Sequence, residues 1–360
     1  MHRLIPVILL KNGLLVRSQL FSMNQTINNT MHTVRRLSNW NVDELILLDI
    51  STEDRHDLRR DDLQVQYSDS TLLGLLPEIA KLCFMPLAVG GRIRDIESMR
   101  ELFARGAHKC VLNSEAVRKP DLVHQASQAF GAQAIVISID TLRHPDGRLE
   151  VHIDGGKTPT GLEPAAWARE CELLGAGEIL INSIDRDGSG VGYDLELVKV
   201  VSDAVSIPVI ACGGVGSYDD FAPAISQAGA SAVAAANIFN FYELAYPNAK
   251  QTCLGSGVHM RPVSLGNKWF PREPRYNLEE EKAKLDRRMN NAHNGIFTAA
   301  LDKRKRKMTW CTQCLYPSLS ATPMEYGTNG LCMGCQISNL KRKFADSEWD
   351  RRQQVLKEIL

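Results

Sequence analysis

Eight apolar runs rich in β-branched residues recur between residue 3 and residue 245, and each is followed by a stretch of helical period. The runs are Leu4–Leu10, Glu44–Ile50, Pro86–Val89, Lys109–Leu112, Ala134–Asp140, Glu178–Asn182, Pro208–Cys212 and Ala232–Ala236. Between them, segments such as "DIESMRELFARGA" and "EPAAWARECELLGAGE" space apolar residues three and four apart, the pattern of a helix with one buried face. Eight strand–helix units in this length predict an α/β fold, the (β/α)8 TIM barrel.

An internal repeat sharpens that expectation. Gly90–Gly91 and Gly106–Ala107 recur as Gly213–Gly214 and Gly229–Ala230 with the same spacing inside each half. Each Gly-Gly follows a strand that opens with proline, Pro86 or Pro208, and "DELILLDIS" and "GEILINSID" form a further pair. Chance matches among common strand-to-helix turns are the competing explanation. Several features in one order favour a duplicated half-barrel.

Composition removes other classes. Lysine plus arginine and aspartate plus glutamate balance at 42 each, so bulk charge argues for neither nucleic acid nor membrane as a partner. No apolar run approaches the roughly 18 residues that span a bilayer. The opening "MHRLIPVILLKNG" lacks a small-residue cleavage site and reads as a strand, not a signal peptide. Nine cysteines, an odd number, then point to reduced thiols in the cytoplasm. The periodicity fades after Tyr246, which predicts a barrel over 1–247 and a linker with a charged helix over 248–307. A cysteine-bearing segment follows over 308–360. The basic run closing the linker reads as a solvated face.

The residues just past each strand form the active face of such barrels. Here they include Leu9, Asp49, Gly90–Gly91, Asn113–Ser114, Asp140, Asp185 with Asp187, Gly213–Gly214 and Asn237. A glycine pair lets backbone N–H groups approach a phosphate, and two such pairs in opposite halves predict a small-molecule substrate phosphorylated at both ends. Asp140 is a candidate general acid or base, with a loop cap as the rival role. At the opposite rim Arg3, Glu44, Lys109 and Glu178 stand at or just before the first residue of strands one, two, four and six. They could form a ring of ion pairs, although on the residues alone ordinary solvated charges at strand starts is the simpler reading.

The tail holds "CTQC", then seventeen residues, then "CMGC". Paired Cys-x-x-Cys knuckles make Cys311, Cys314, Cys332 and Cys335 a candidate zinc site, against a redox dithiol or disulfides. Four thiolates leave no open position, so the metal would be structural. No cofactor is predicted for the barrel.

The segments "RLIPVILLKNG", "VGGRI", "KCVLNS", "VISID", "GAGEILINSIDRDG" and "IPVIACGGVG" resemble the cyclase subunit of imidazole glycerol phosphate synthase, the HisF family, over roughly residues 1–245. The resemblance implies a half-barrel-symmetric enzyme subunit, a lyase of histidine biosynthesis. Members of that family bind a doubly phosphorylated substrate and receive ammonia from a HisH-like glutaminase on the N-terminal face, and the resemblance implies the same here. The resemblance makes Asp140 one of two catalytic aspartates and puts Leu9 in the place of the other. It assigns Gly90, Gly91, Ser114, Gly213, Gly214 and Asn237 to phosphate segments, Asn113 and Asp187 to the substrate site, and Arg17 to a position where the family has lysine. Arg92 replaces a glycine of the first phosphate loop. Arg3, Glu44, Lys109 and Glu178 match the family's ammonia gate, which weighs against the solvated-charge reading.

"LIPVILLKNG" and "DLRRDD" (57–62) resemble a HisF-like subgroup associated with glycosyl amidation. That likeness implies ammonia delivery to a sugar amidotransferase that makes acetamidino sugars for surface polysaccharides such as lipopolysaccharide. "MTWCTQC…LCMGCQ" and "SEWDRRQQVLKEI" resemble the start of the N-acetyl sugar amidotransferase family, without its "SGGKDS" phosphate loop. The tail is then either a docking remnant or part of a truncated fusion. A true cyclase and a non-catalytic assembly scaffold are the alternatives to ammonia delivery.

Overall fold

The computed structural model describes residues 1–53, 55–56, 71–241 and 243–263 of the chain. The cysteine knuckles, residues 57–62 and most of the expected linker lie outside the described residues. In chain order the elements are β1 (Arg3–Lys11), β2 (Leu14–Gln19), β3 (Met23–Asn29), α1 (Thr30–Asn39), β4 (Leu45–Asp49), α2 (Leu72–Ala80), β5 (Leu87–Gly90), α3 (Ile96–Ala104), β6 (Lys109–Leu112), α4 (Ser114–Arg118) and α5 (Asp121–Phe130). They continue with β7 (Ile135–Arg143), β8 (Leu149–Ile153), β9 (Thr158–Pro159), α6 (Pro164–Leu173), β10 (Glu178–Ser183), α7 (Leu195–Ser202), β11 (Val209–Cys212), α8 (Phe221–Ser226), β12 (Ala232–Ala235), α9 (Ile238–Phe241) and α10 (Ala245–Gly255).

Eight strands pair in parallel in the order β1–β4–β5–β6–β7–β10–β11–β12, and β12 pairs back onto β1 through Arg3↔Ala232 to Pro6↔Ala235. The closed parallel sheet with helices between its strands is the expected TIM barrel. Period-two alternation sorts each strand between two cores. Ile5, Val7, Ile46, Ala88, Val111, Val136, Leu180, Ile210, Ala232 and Ala234 fill the barrel interior. Leu4, Ile8, Leu10, Leu45 and Leu47 face outward into the larger core shared with the helices. The two helical segments singled out in the sequence form α3 and α6. Asp95 caps α3 by accepting from Ser98 N in a capping box, and the Glu163 carboxylate accepts from Ala165 N and Ala166 N at the start of α6.

Two additions were not anticipated. After Lys11 the chain turns through Asn12 (φ 53°) and Gly13 (φ 79°), and β2 pairs antiparallel with the upper end of β1. Two successive positive φ values define the turn type that closes two-residue hairpins, and Asn-Gly suits it best. In the other half β8 pairs antiparallel with β7, from Asp140↔His152 to Arg143↔Leu149. Strands one and five, half a circuit apart, therefore each rise above the barrel into a hairpin.

The expected barrel boundary at 247 falls inside α10. That helix runs through the boundary to Gly255, and Ala249, Cys253, Val258 and Met260 belong to the outer core. Its periodicity is hidden in sequence because its buried face includes Tyr246, Pro247 and Lys250. Lys250 is compensated by an ion pair to Asp43, and Tyr246 Oη donates to Leu4 O at 3.1 Å. Among the described residues, no helix is long and apolar enough to cross a membrane.

Candidate active site

The upper layer of inward positions follows from strand alternation. Leu9, Leu48, Cys212 and Ala236 cap the interior core at this end, with Gly90 continuing the inward face of Ala88. By the same parity Asn113, Asp140 and Asn182 point inward, so among the described residues Asp140 is the one carboxylate at the inward strand positions of this layer. It is buried, and Asn113 Nδ2 donates to its Oδ2 at 3.0 Å and to Ser138 O at 2.9 Å. Burial pushes the Asp140 carboxyl up to about 7. Hydrogen bonds from Asn113 and Asn182 favour its ionised form, and the charge of Asp187 opposes it. Such a group exchanges a proton near neutral pH. Leu9, four strands away around the barrel, offers no proton.

Asp187 lies in the loop after β10. Burial raises its pKa, against a hydrogen bond from Ser18 Oγ at 2.6 Å. Asn237 Nδ2 donates to Ser18 O at 2.9 Å, so β2 ties together the loops after strands six and eight. Arg17, also on β2, lies over the Phe241 ring at 5.9 Å. Ser114 Oγ accepts from Asp154 N at 3.0 Å and donates to Asn113 Oδ1 at 3.1 Å, joining the loop after β8 to the start of α4.

The glycine pairs occupy equivalent places in the two halves. At Gly91 (φ 97°) an added Cβ would come within 2.1 Å of Asp49 O, and at Gly214 (φ 105°) within 2.2 Å of Gly192 O. Gly213 is also left-handed, and Gly90 packs tightly against Leu48 and Val111. Close loop packing therefore requires the glycines with or without a phosphate. Arg92 (φ 63°) adopts backbone geometry that favours glycine, and its guanidinium donates to the carbonyl oxygens of Ser51 and Glu53.

At the opposite end the four charged residues form a closed circuit, which corrects the reading as independent solvated charges. Arg3 pairs with Glu44 and, at 3.1 Å, with Glu178. Lys109 Nζ lies 2.8 Å from Glu44 Oε1 and 3.1 Å from Glu178 Oε1. Each acid sits between both bases, and Glu44 is almost wholly buried.

Asn182 and Cys212 carry no motif that marks them in the sequence. Counting in twos from Leu180 and Ile210 places both at the mouth. Burial pushes the Cys212 thiol up to about 12, which keeps it protonated and inert as a nucleophile. Asp185, expected at the active face, instead accepts from Arg143 N at 2.7 Å and anchors the hairpin of strand five.

The family profile described as histidine biosynthesis protein matches residues 3–245. A curated relative, the imidazole glycerol phosphate synthase subunit HisF of Alkaliphilus metalliredigens (strain QYMF), is 40% identical over 261 residues, spanning 72% of this chain and 98% of that protein.

Proposed function

The chain belongs to the histidine biosynthesis protein family as a HisF-like barrel, and on that premise we propose that it conducts ammonia from a HisH-like glutaminase through its floor to its mouth. One observation carries the reading. A complete charged circuit guards the floor, while among the described residues the inward strand positions of the mouth layer hold a single carboxylate, Asp140, with Leu9 diametrically opposite. The delivery side is built; half of a two-carboxylate acid–base pair is not. Gly90, Gly91, Ser114, Gly213, Gly214, Asn237, Asn113, Asp187 and Arg17 then surround a phosphorylated small molecule at the mouth. The receiving enzyme, from the resemblance of residues 57–62 and 308–360, is an N-acetyl sugar amidotransferase of surface polysaccharide synthesis. The tail's four cysteines hold a structural zinc in this reading, and the protein works in the cytoplasm.

A second reading, a working cyclase of histidine biosynthesis, is favoured by the raised pKa of Asp140 and by the similarity to HisF. One assay separates the two: the purified chain with ammonium salt or a glutaminase, and the phosphoribulosyl carboxamide substrate. Ammonia conduction predicts no turnover at a normal cyclase rate, together with glutamine-dependent rescue of a sugar amidotransferase. Normal turnover overturns it, and failure of both reactions leaves only an assembly scaffold.

A further inference from the structure

The hairpin that rises from strand five carries polar residues that the proposed reaction does not use. In an antiparallel pair, residues directly opposite share a face, and so do residues two apart. The register Asp140↔His152 and Leu142↔Glu150 therefore puts His152 and Glu150 on the face that bears Asp140. His144, two residues beyond Leu142 where the strand gives way to the turn, reaches the same face, because its Nε2 lies 2.7 Å from Glu150 Oε2. One ring nitrogen of each histidine and one carboxylate oxygen of Glu150 fall within 4.8 Å of one another.

The protonation pattern of His152 adds an independent observation. Its Nδ1 lies 3.0 Å from Gly156 O, and a carbonyl only accepts, so Nδ1 carries the hydrogen. In the neutral ring Nε2 then keeps its lone pair. His152 is 6% exposed, and its Nε2 has no hydrogen-bond partner among the described residues. A buried lone pair without a donor is costly, unless something electron-poor occupies the space before it. A ligating histidine usually has this arrangement: one ring nitrogen fixed by a backbone carbonyl, the other turned to a metal. Glu150 is fixed in the same way, because its second oxygen accepts from Gly161 N at 2.8 Å.

We propose that His144, Glu150 and His152 form a binding site for a divalent transition-metal ion, with zinc the natural occupant. Two imidazoles and one carboxylate suit this class over magnesium or calcium, which prefer all-oxygen shells. With bonds near 2.0–2.1 Å a tetrahedral ion holds its ligands roughly 3.4 Å apart, so small side-chain rotations close the set. Three protein ligands leave one position for water or a substrate oxygen, on the same face as Asp140. The arrangement that competes with this is a purely structural hairpin network, in which Arg148, 3.2 Å from Glu150 Oε2, and His144 neutralise the carboxylate.

The test is metal titration of the full-length reduced chain and its His152→Gln variant, with zinc followed by calorimetry and cobalt followed by absorption. The tail cysteines are common to both proteins, so the difference reports the hairpin. The expected result is one extra metal equivalent in the unaltered chain, with no added thiolate-to-cobalt charge-transfer band. In the variant, affinity should fall by at least the order of tenfold to a hundredfold that even outer-sphere changes cause. Equal uptake by both proteins overturns the proposal. Should His152→Gln misfold, His144→Gln at the half-buried turn gives the same reading, with circular dichroism as the folding control.

Discussion

Asp140 and Leu9 face each other across the barrel mouth, and each carries a distinct prediction. An unfolded aspartate releases its proton near 3.8, whereas folded Asp140 holds it to about 7. Between those values the folded state binds the extra proton, so this group's contribution to stability falls as pH rises through the window, by at most about 4 kcal/mol. Asp140→Asn should flatten that part of the slope, and denaturant melts of both proteins from pH 4 to pH 8 will read the difference. Leu9→Asp supplies the second carboxylate. If the acid alone is lacking, cyclase turnover on the phosphoribulosyl substrate should rise on the order of a hundredfold or more. An unchanged rate would put the deficit elsewhere in the mouth.

Among the elements, the eight barrel strands were readable because a buried parallel strand needs a continuous apolar run, and each run here ends at a glycine or polar residue. The upper half of the hairpins was harder to see. "LLVRSQLFSMNQTINN" mixes faces, and β3 is mostly exposed, so no alternation marks it. The Asn12-Gly13 pair was the available signal. Gly13→Ala should destabilise the β1–β2 hairpin by about 1 kcal/mol, since Gly13 holds φ 79°, and thermal melts will show it. The site was legible where chemistry follows strand ends, as at Asp140 and Asn113. It was not legible where pairing across the fold decides the role: Asp185 turned to the Arg143 backbone, and His152 gained meaning only through its register with Asp140. The floor circuit shows the same limit, because charge order along the chain does not say which acid meets which base.

For the whole molecule the floor circuit is the feature with most at stake. Lys109→Met leaves Glu44 and Glu178 with only Arg3, and Glu44 is 2% exposed. The cost should be roughly 1–3 kcal/mol, below the 3–5 of a fully buried pair because Arg3 and Lys109 keep some contact with water. Function should separate more cleanly than stability. If the floor is the ammonia passage, Arg3→Ala lowers glutamine-driven amidation while amidation driven by added ammonium salt is preserved. Equal loss of both would assign the circuit to folding alone. Strands one and five, finally, hold matching posts in two equivalent halves, and each supports its own overhanging ribbon. A barrel built on two such posts can carry leucine at the head of one and aspartate at the head of the other without altering the wall that joins them. New recognition can then evolve from one ribbon without disturbing the wall beneath.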